Sequence, residues 1–242
     1  MLSGLLHAFV DIVYPPLCLI CRDRLDLRDN PANLCEGCLQ KIPKNIAPFC
    51  QKCGVSLSEN LKELQLCPVC KTKFFSFDRA WSACRYTDEM VGLIRLFKYK
   101  AKLMLKEIFG KILCEFIAIY HLPIGDCDCL VPIPLHPVRL REREFNQSQV
   151  LAAEISKRYD IRVSLNNLVR IRNTKSQTKL DEKQRFKNIR GAFGLRNPGE
   201  FTSKNILLID DLFTTGATVS EAASILKNAG AKRVFVLTLA RA

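Results

Sequence analysis

One stretch, residues 206–218 with the sequence ILLIDDLFTTGAT, constrains the fold more than any other part of the chain. Its first four residues are aliphatic and predict a buried strand, which two adjacent carboxylates, Asp210 and Asp211, follow directly. A short loop with three threonines then leads into a helical pattern at 219–228. The N-terminus of a helix favours an anion, and paired carboxylates suit the hydroxyls of a ribose. The stretch therefore predicts a sugar phosphate site between a strand and a helix.

Three other interpretations explain this stretch less well. A plain helix N-cap needs only one Ser, Thr, Asp or Asn. A nucleotide P-loop requires a lysine after its last glycine, but Ala217 follows Gly216. A dinucleotide-binding fingerprint requires three glycines, and this loop has one. We interpret Gly216 as the residue that lets the backbone approach a ligand closely.

Four CxxC pairs lie nearer the N-terminus, and thirteen residues separate the first pair from the second and the third from the fourth. Two such pairs can place four thiolates around one tetrahedral ion, so the spacing predicts two structural Zn²⁺ ions. Equal spacing favours sequential pairing, and an interleaved arrangement is the alternative. A redox role is the weaker interpretation. In the sequential arrangement the ligands are Cys18, Cys21, Cys35 and Cys38 on one ion and Cys50, Cys53, Cys67 and Cys70 on the other.

The metal-binding segment is too small to have much of a core, so zinc would supply much of its folding energy. Before it, the apolar residues of 2–13 fall on one side of a short amphipathic helix, which we interpret as a packing helix. We therefore predict two domains. Residues 1–75 form an N-terminal helix and a double zinc-binding domain, and residues 76–242 form the domain that carries the sugar phosphate site.

Charge and cysteine content restrict the partners and the location. A formal net charge of +13 indicates an anionic partner, which is a phosphorylated substrate, a nucleic acid or a membrane surface. The N-terminal apolar stretch has no basic start and contains Asp11, unlike a secretory signal peptide, and no apolar run is long enough to span a bilayer. The twelve cysteines then indicate reduced thiols, and we expect a cytoplasmic protein.

The second domain alternates strand and helix patterns, which favours a parallel or mixed sheet covered by helices, with its ligand at the carboxyl ends of the strands. Strands are predicted at 78–86, 130–135, 167–172, 191–196, 206–209 and 233–240, and helices at 88–97, 103–120, 146–159, 180–188 and 219–228.

Two further segments suit an anionic ligand. A proline-bent loop after the strand at 130–135 carries Arg139, Arg141 and Arg143, and arginine binds phosphate oxygens in bidentate geometry. The polar stretch at 173–178 is interpreted as a mobile lid, with a surface hairpin as the alternative. A cluster of lysines is either a solvated helix face or a phosphate contact; it comprises Lys98, Lys100, Lys102 and Lys106.

Together these motifs resemble the ComF family (competence protein F, GntX-like) of the type I phosphoribosyltransferase superfamily. The resemblance covers nearly the whole chain and implies an α/β fold with a parallel sheet and flanking helices, plus a small N-terminal double zinc ribbon with four cysteines on each zinc. It rests on the paired CxxC motifs, Lys98-Tyr99, the sequence VPIPLHPVRLREREFNQ at 131–147, Gln177, Arg185, Asn188, GAF at 191–193 and DDLFTTGAT at 210–218.

The resemblance also implies a ligand, phosphoribosyl pyrophosphate (PRPP), with Mg²⁺ carried by its pyrophosphate. Asp210 and Asp211 then hold the ribose hydroxyls, and Lys175 belongs to a flexible catalytic hood at 175–190. Glu144 and Ala101 stand where the family usually has glycine. The 5-phosphate is assigned to Thr214, Thr215, Gly216, Ala217 and Thr218, the pyrophosphate loop to Pro134, Leu135, His136 and Arg139, and the catalytic role to Lys175, Arg139 and Arg141.

Two functions follow from the resemblance. The first is a PRPP-binding protein that acts in DNA uptake during natural competence, with single-stranded DNA and a DNA-uptake helicase as candidate partners. The alternative is an active phosphoribosyltransferase of nucleotide or related metabolism, with an acceptor that the sequence does not identify and no DNA role. The aromatic residues just after the zinc-binding segment suit either DNA bases or a core; they are Phe74, Phe75, Phe77 and Trp81.

Overall fold

The structure, a computed structural model, describes residues 15–25, 34–58, 65–98, 104–174 and 181–242. The predicted N-terminal helix, Lys100, Ala101, Lys102, Lys175 and Gln177 lie outside these ranges. The helices are α1 (Glu36–Gln40), α2 (Pro68–Thr72), α3 (Asp88–Phe97), α4 (Leu105–Ile119), α5 (Pro137–Arg143), α6 (Gln147–Tyr159), α7 (Glu182–Ile189) and α8 (Ala217–Asn228). The strands are β1 (Arg79–Arg85), β2 (Cys129–Pro132), β3 (Leu168–Arg170), β4 (Phe193–Leu195), β5 (Asn205–Phe213) and β6 (Arg233–Arg241).

Four strands form one parallel sheet in the order β1-β6-β5-β2. Strands β5 and β6 lie at its centre and are almost continuously apolar, as expected for strands that are buried on both faces. The prediction of a parallel sheet with flanking helices is therefore confirmed. Among the described helices, none combines the length and the apolar content that crossing a bilayer requires.

The strands predicted at 167–172 and 191–196 do not join this sheet. They shorten to β3 and β4, which pair only with each other and are antiparallel. Each has three residues, of which only the first is fully buried, so neither can replace a long apolar strand at the centre of the sheet. The pair of strands β3 and β4 instead lies outside the main sheet. Strand β3 brings Arg170 to the cleft described below.

Two hydrophobic clusters pack against opposite faces of the sheet. Successive residues of β5 alternate between them: Leu207 belongs to the first cluster and Leu208 to the second. The first contains residues of α3, α4 and α6, together with Cys18 and Cys38. The second contains residues of α8 and all four cysteines from Cys50 to Cys70. The zinc-binding segment therefore reaches both faces of the sheet.

Chain segments outside the sheet cover its two edges. At the β1 edge, the N–H of Ala80 donates to the carbonyl of Lys52 (2.8 Å), and the N–H of Asn45 donates to the carbonyl of Ala83 (2.9 Å). At the β2 edge, Leu130 bonds to both Arg162 and Ser164 through its backbone, at 2.9 Å each. Backbone contacts thus cross the predicted domain boundary at residue 75, and the boundary itself stays a prediction.

Candidate functional site

A cleft of about 500 Å³ opens at the carboxyl ends of β2 and β5. This is the edge where ligands of open parallel sheets bind. A second hollow of about 520 Å³ lies between α4 and α6, and it shares no lining residue with the cleft. The cleft is lined by Tyr86, Arg95, Lys98, Ile133, Leu135, His136, Arg139, Arg143, Gln147, Ser148, Arg170, Asn173, Thr174, Arg185, Asp210, Asp211, Leu212, Thr214, Thr218 and Ala242.

The two predicted carboxylates lie together in the cleft. Strand β5 runs on past the predicted end at residue 209, because its pairing with β6 continues through Asp210 and beyond. Ser148, at the start of α6, donates its hydroxyl to Asp210 Oδ1 (2.9 Å), and the N–H of Asp211 donates to the same oxygen (2.9 Å). The ammonium of Lys98 lies 4.0 Å from Asp211 Oδ2. The start of α6 and the backbone of Asp211 thus hold the Asp210 carboxylate in one orientation.

Burial raises the pKa of Asp210 to about 7, and the neighbouring carboxylate of Asp211 adds to the shift. The hydroxyl of Ser148 and the N–H of Asp211 oppose it, since both donate hydrogen bonds to Asp210. Near neutral pH the cleft can therefore gain a negative charge when a cation or a hydroxyl group reaches this carboxylate.

We expect the stability of the ligand-free protein to fall as the pH rises from about 4 to about 7. In the unfolded chain an aspartate loses its proton near pH 3.8, whereas folded Asp210 keeps it to about 7, so the folded state binds more protons in this window. The free energy of unfolding then decreases by at most about 1.4 kcal/mol per pH unit. Asp210→Asn cannot ionise and should flatten this slope.

Urea denaturation of both proteins at about pH 5, 6 and 7 measures the two slopes. Asn still accepts the hydrogen bonds from Ser148 and Asp211, so the variant isolates the ionisation. A variant whose stability falls as steeply as that of the wild type would contradict the assignment.

Six cationic side chains line the described part of the cleft together with the two carboxylates: Arg95, Lys98, Arg139, Arg143, Arg170 and Arg185. Lys98 belongs to the lysine cluster that the sequence left as either a solvated helix face or a phosphate contact, and it lines the cleft. Such a concentration of guanidinium groups around two acids suits a ligand that combines phosphate groups with hydroxyls.

The three arginines predicted on a loop instead all lie on helix α5, which begins at Pro137 and ends at Arg143. Arg139 and Arg143 are four residues apart, so they share one side of the helix and both line the cleft. Arg141 lies two residues from each, which turns it to the other side, and it is exposed. The structure therefore brings Arg139 to the site together with Arg143, and does not bring Arg141.

The rest of the predicted pyrophosphate loop consists of residues 134–136, because α5 begins at Pro137. Leu135 and His136 line the cleft, and Pro134 is partly buried beside them but is not part of the lining. His136 caps α5, because its Nδ1 accepts a hydrogen bond from the N–H of Val138 (3.3 Å). Glu144 ends the helix in the left-handed conformation, with φ of +66°. Glycine favours that conformation, which explains the glycine expected there from the family pattern.

The threonine loop contributes two of its five predicted residues to the cleft, Thr214 and Thr218. Thr215 turns back to the chain, where its Oγ1 accepts from the N–H of Ala217 (3.4 Å). Gly216 has φ of +78°, and a Cβ at this position would lie 2.7 Å from Phe213 and 2.8 Å from Phe75. Gly216 is thus needed for its backbone conformation and for aromatic packing, and its close approach to a ligand stays a prediction.

We expect Gly216→Ala to lower the free energy of unfolding by about 2–4 kcal/mol, through an unfavourable φ and a clash with two buried rings. Gly191→Ala is the matched control. Gly191 also has a positive φ (+66°), but a Cβ there meets nothing within 4 Å, so its cost should be about 1 kcal/mol. Urea denaturation gives both changes in the free energy of unfolding. Equal changes would show that the rings of Phe75 and Phe213 move aside for the added methyl group.

Ser148 and Arg170 are among the residues of the cleft that the sequence did not single out. Ser148 lay within a predicted helix, and Arg170 lay within a predicted strand. Burial lowers the pKa of Arg170, and the nearby Asp210 opposes the shift. The Arg170 guanidinium also lies over the ring of Phe193, 5.6 Å from its centroid. Nothing in the local pattern distinguishes either residue from ordinary members of a helix or a strand.

The predicted hood lies partly within the described residues. Its helix α7 begins with a capping box between Asp181 and Gln184, and Arg185 lines the cleft. Lys175, the predicted catalytic lysine, lies outside the described ranges. The structure thus connects the C-terminal part of the hood to the site.

The eight predicted zinc ligands form two groups of four, and the pairing is sequential. Within each group the sulfur atoms lie within 4.8 Å of one another. The Cys21 and Cys35 sulfurs are 3.7 Å apart, and those of Cys53 and Cys67 are 3.6 Å apart. A tetrahedral zinc with Zn–S bonds of about 2.3 Å requires a separation of about 3.8 Å. Both groups therefore fit structural zinc, and none of the twelve cysteines forms a disulfide.

Of the four aromatic residues after the zinc-binding segment, three belong to the core. Phe75, Phe77 and Trp81 are buried, whereas Phe74 is 85% exposed. Core packing therefore accounts for three of them, and only Phe74 is available to a partner.

Comparison with known proteins gives two domain matches. A double zinc ribbon domain matches residues 9–71, and a phosphoribosyl transferase domain matches residues 146–242. The chain is 30% identical to competence protein F of Haemophilus influenzae, over 93% of this chain and 96% of that protein. It is 26% identical to DNA utilization protein YhgH of Escherichia coli K12, over 95% and 99%.

A solved glutamine PRPP amidotransferase from B. subtilis overlaps 55% of this chain. The overlap spans a quarter of that enzyme, with 19% identity and a TM-score of 0.37. A likeness this weak carries no functional argument.

Proposed function

Because this chain belongs to the ComF/YhgH family, whose members join a double zinc ribbon to a phosphoribosyltransferase domain, we propose that it binds PRPP with Mg²⁺ in the cleft and acts in DNA uptake. The observation that carries the proposal is the pair Asp210 and Asp211 at the carboxyl end of β5, in a cleft that six cationic side chains also line. A sugar bearing several phosphate groups matches both features, because its hydroxyls suit the acids and its phosphates suit the cations.

Three parts of the ligand are assigned to residues of the cleft. Asp210 and Asp211 accept hydrogen bonds from the ribose hydroxyls, while Thr214 and Thr218 donate to the 5-phosphate at the start of α8. Arg139 and Arg143 bind the pyrophosphate in bidentate geometry. Mg²⁺ prefers oxygen ligands, which this site supplies as carboxylates and phosphates, and when bound it would neutralise charge on the pyrophosphate.

Turnover would break the bond between C1 of the ribose and the pyrophosphate oxygen, with the bonding electrons leaving on the pyrophosphate, and would form a bond between C1 and a nucleophilic atom of the acceptor, or of water when no acceptor is present. The arginines stabilise the charge that develops there, and Arg170 adds a partly desolvated cation beside Asp210. Lys175 and the hood are proposed to exclude water from the electron-poor ribose. The chain is thus proposed as a phosphoribosyltransferase as well as a PRPP-binding protein.

The DNA part of the proposal rests on the relatives and on the surface. One relative is named a competence protein and another a DNA utilization protein. The net charge of +13 suits the phosphates of single-stranded DNA. The exposed ring of Phe74, next to Lys73 in the chain, suits its bases. We place the protein in the cytoplasm, where thiolates stay reduced for zinc and a DNA-uptake helicase is a candidate partner.

Calorimetric titration of PRPP with Mg²⁺ tests the site, and a pyrophosphate-release assay without an added acceptor tests turnover. We expect binding of PRPP and slow release of pyrophosphate. Wild-type protein that does not bind PRPP would refute the site assignment. Binding without any release, with or without candidate nucleobases, would favour a PRPP sensor over an enzyme.

Single-stranded DNA is tested separately, by fluorescence titration of a labelled oligonucleotide at several salt concentrations. Binding should weaken by about tenfold or more between 50 and 200 mM salt if several phosphates are contacted. Phe74→Ala should weaken it further, and Val69→Ala, another exposed apolar residue of the same segment, is the control. Absence of DNA binding, together with active pyrophosphate release, would favour the metabolic enzyme.

A further inference from the structure

The segment that follows the second zinc cluster, residues 73–77, lies against the parts of the protein that support the cleft. Its first residue, Lys73, comes directly after α2, which contains the zinc-ligand candidate Cys70. The Lys73 ammonium forms an ion pair with Glu182 and lies over the ring of Phe186, 4.3 Å from its centroid. With 22% of its side chain exposed, Lys73 is more enclosed than a typical surface lysine.

Both partners of Lys73 belong to helix α7. Glu182 and Phe186 are four residues apart and therefore share one side of the helix. Arg185, on the same helix, lines the cleft. The other end of α7 is held by the Arg172 guanidinium, which donates to the carbonyl of Asn188 (2.9 Å). A helix fixed at both ends presents Arg185 from a defined position.

The next residues of the segment contact the threonine loop and the helix after it. The ring of Phe75 lies against Gly216, where a Cβ would come within 2.8 Å of it. The N–H of Ser76 donates to the Ser220 hydroxyl on α8 (3.0 Å). One short stretch of chain thus contacts α7, the loop at Gly216 and α8.

We propose that residues 73–77 couple the second zinc cluster to the cleft, with Lys73 as a positioning residue that holds α7, and hence Arg185, where it can bind the anionic ligand. The inference deepens the proposed function, since it assigns Arg185 to the phosphate groups of PRPP. The first zinc cluster packs on the opposite face of the sheet.

Lys73→Met tests the coupling against Lys71→Met, which removes the same charge from an exposed position of α2. Hydrogen exchange of the amides of α7, without ligand, should become about fivefold or more faster in Lys73→Met and change less than about twofold in Lys71→Met. PRPP affinity with Mg²⁺ should fall about fivefold or more in Lys73→Met alone. Lys73→Arg, which keeps the ion pair and the ring contact, should restore both.

A double-mutant cycle distinguishes positioning from long-range electrostatics. In the Arg185→Ala background, Lys73→Met should weaken PRPP binding by less than about twofold further, because the side chain through which Lys73 acts on the ligand is already removed. Each variant must retain the wild-type zinc content. Unchanged exchange in α7, equal losses in Lys71→Met, or full additivity with Arg185→Ala would overturn the proposal. Faster exchange in Lys73→Met, with wild-type protein that does not bind PRPP, would support the coupling and refute the proposed ligand.

Discussion

Replacing both cleft carboxylates, Asp210→Asn with Asp211→Asn, is expected to weaken binding of PRPP with Mg²⁺ by about 100-fold or more. Each carboxylate would accept a charge-assisted hydrogen bond from a ribose hydroxyl, which is stronger than the neutral bond an amide can offer. The neutral pair also offers poorer ligands for a divalent cation. Calorimetric titration measures the change.

The same variant should bind inorganic pyrophosphate, without Mg²⁺, as tightly as the wild type or more tightly. Six cations line the described cleft, and removing the negative charge that the two acids carry among them favours any anion. The control is Glu107→Gln with Glu115→Gln, which removes two carboxylates from the separate hollow beside α4. Parallel losses for PRPP and pyrophosphate would mean that the double variant damages the fold, and unchanged PRPP affinity would refute the role of the acids.

Removing zinc is expected to lower the melting temperature by more than about 10 °C and to abolish a single cooperative transition. Zinc binding to such sites is worth about 10–16 kcal/mol in small domains, as much as the whole stability of a typical protein. Here the effect should reach the sheet. The Cys53 carbonyl accepts a hydrogen bond from Arg241 (2.7 Å), whose guanidinium lies 4.4 Å from the centroid of the Phe213 ring.

The experiment compares protein treated with a chelator, protein treated with zinc-saturated chelator, and stripped protein to which zinc is returned. Metal analysis should give about two zinc ions per chain before treatment. Restored melting on return of zinc attributes the loss to the metal. A melting temperature that does not change after complete removal of zinc would show that the cysteine groups fold without metal.

The sequence was sufficient to predict elements whose pattern is local. The apolar runs of β5 and β6 predicted the central strands, and the even spacing of the CxxC pairs predicted the sequential grouping of cysteines that the structure shows. The family and the fold class are confirmed as well. These features need no knowledge of how distant parts of the chain meet.

Site residues that depend on long-range packing were less predictable. The segment containing Arg139 was expected to be a loop, and only its helical conformation explains why Arg143 accompanies it and Arg141 does not. Arg170 reaches the cleft from strand β3, which pairs with β4 outside the main sheet. Gly216 is constrained by Phe75, a contact between segments far apart in sequence. Such contacts leave no periodic trace in a single sequence.

The zinc-binding segment covers the outer edge of strand β1. An uncovered strand exposes a row of N–H and C=O groups that can pair with a strand of another molecule. Here residues 43–52 occupy those groups, through bonds that include Asn45 to Ala83 and Lys52 to Ala80. A fragment of residues 76–242 would expose this edge, and we expect it to self-associate. If the fragment does self-associate, the zinc-binding segment shields the sheet from aggregation, whatever ligand the cleft binds.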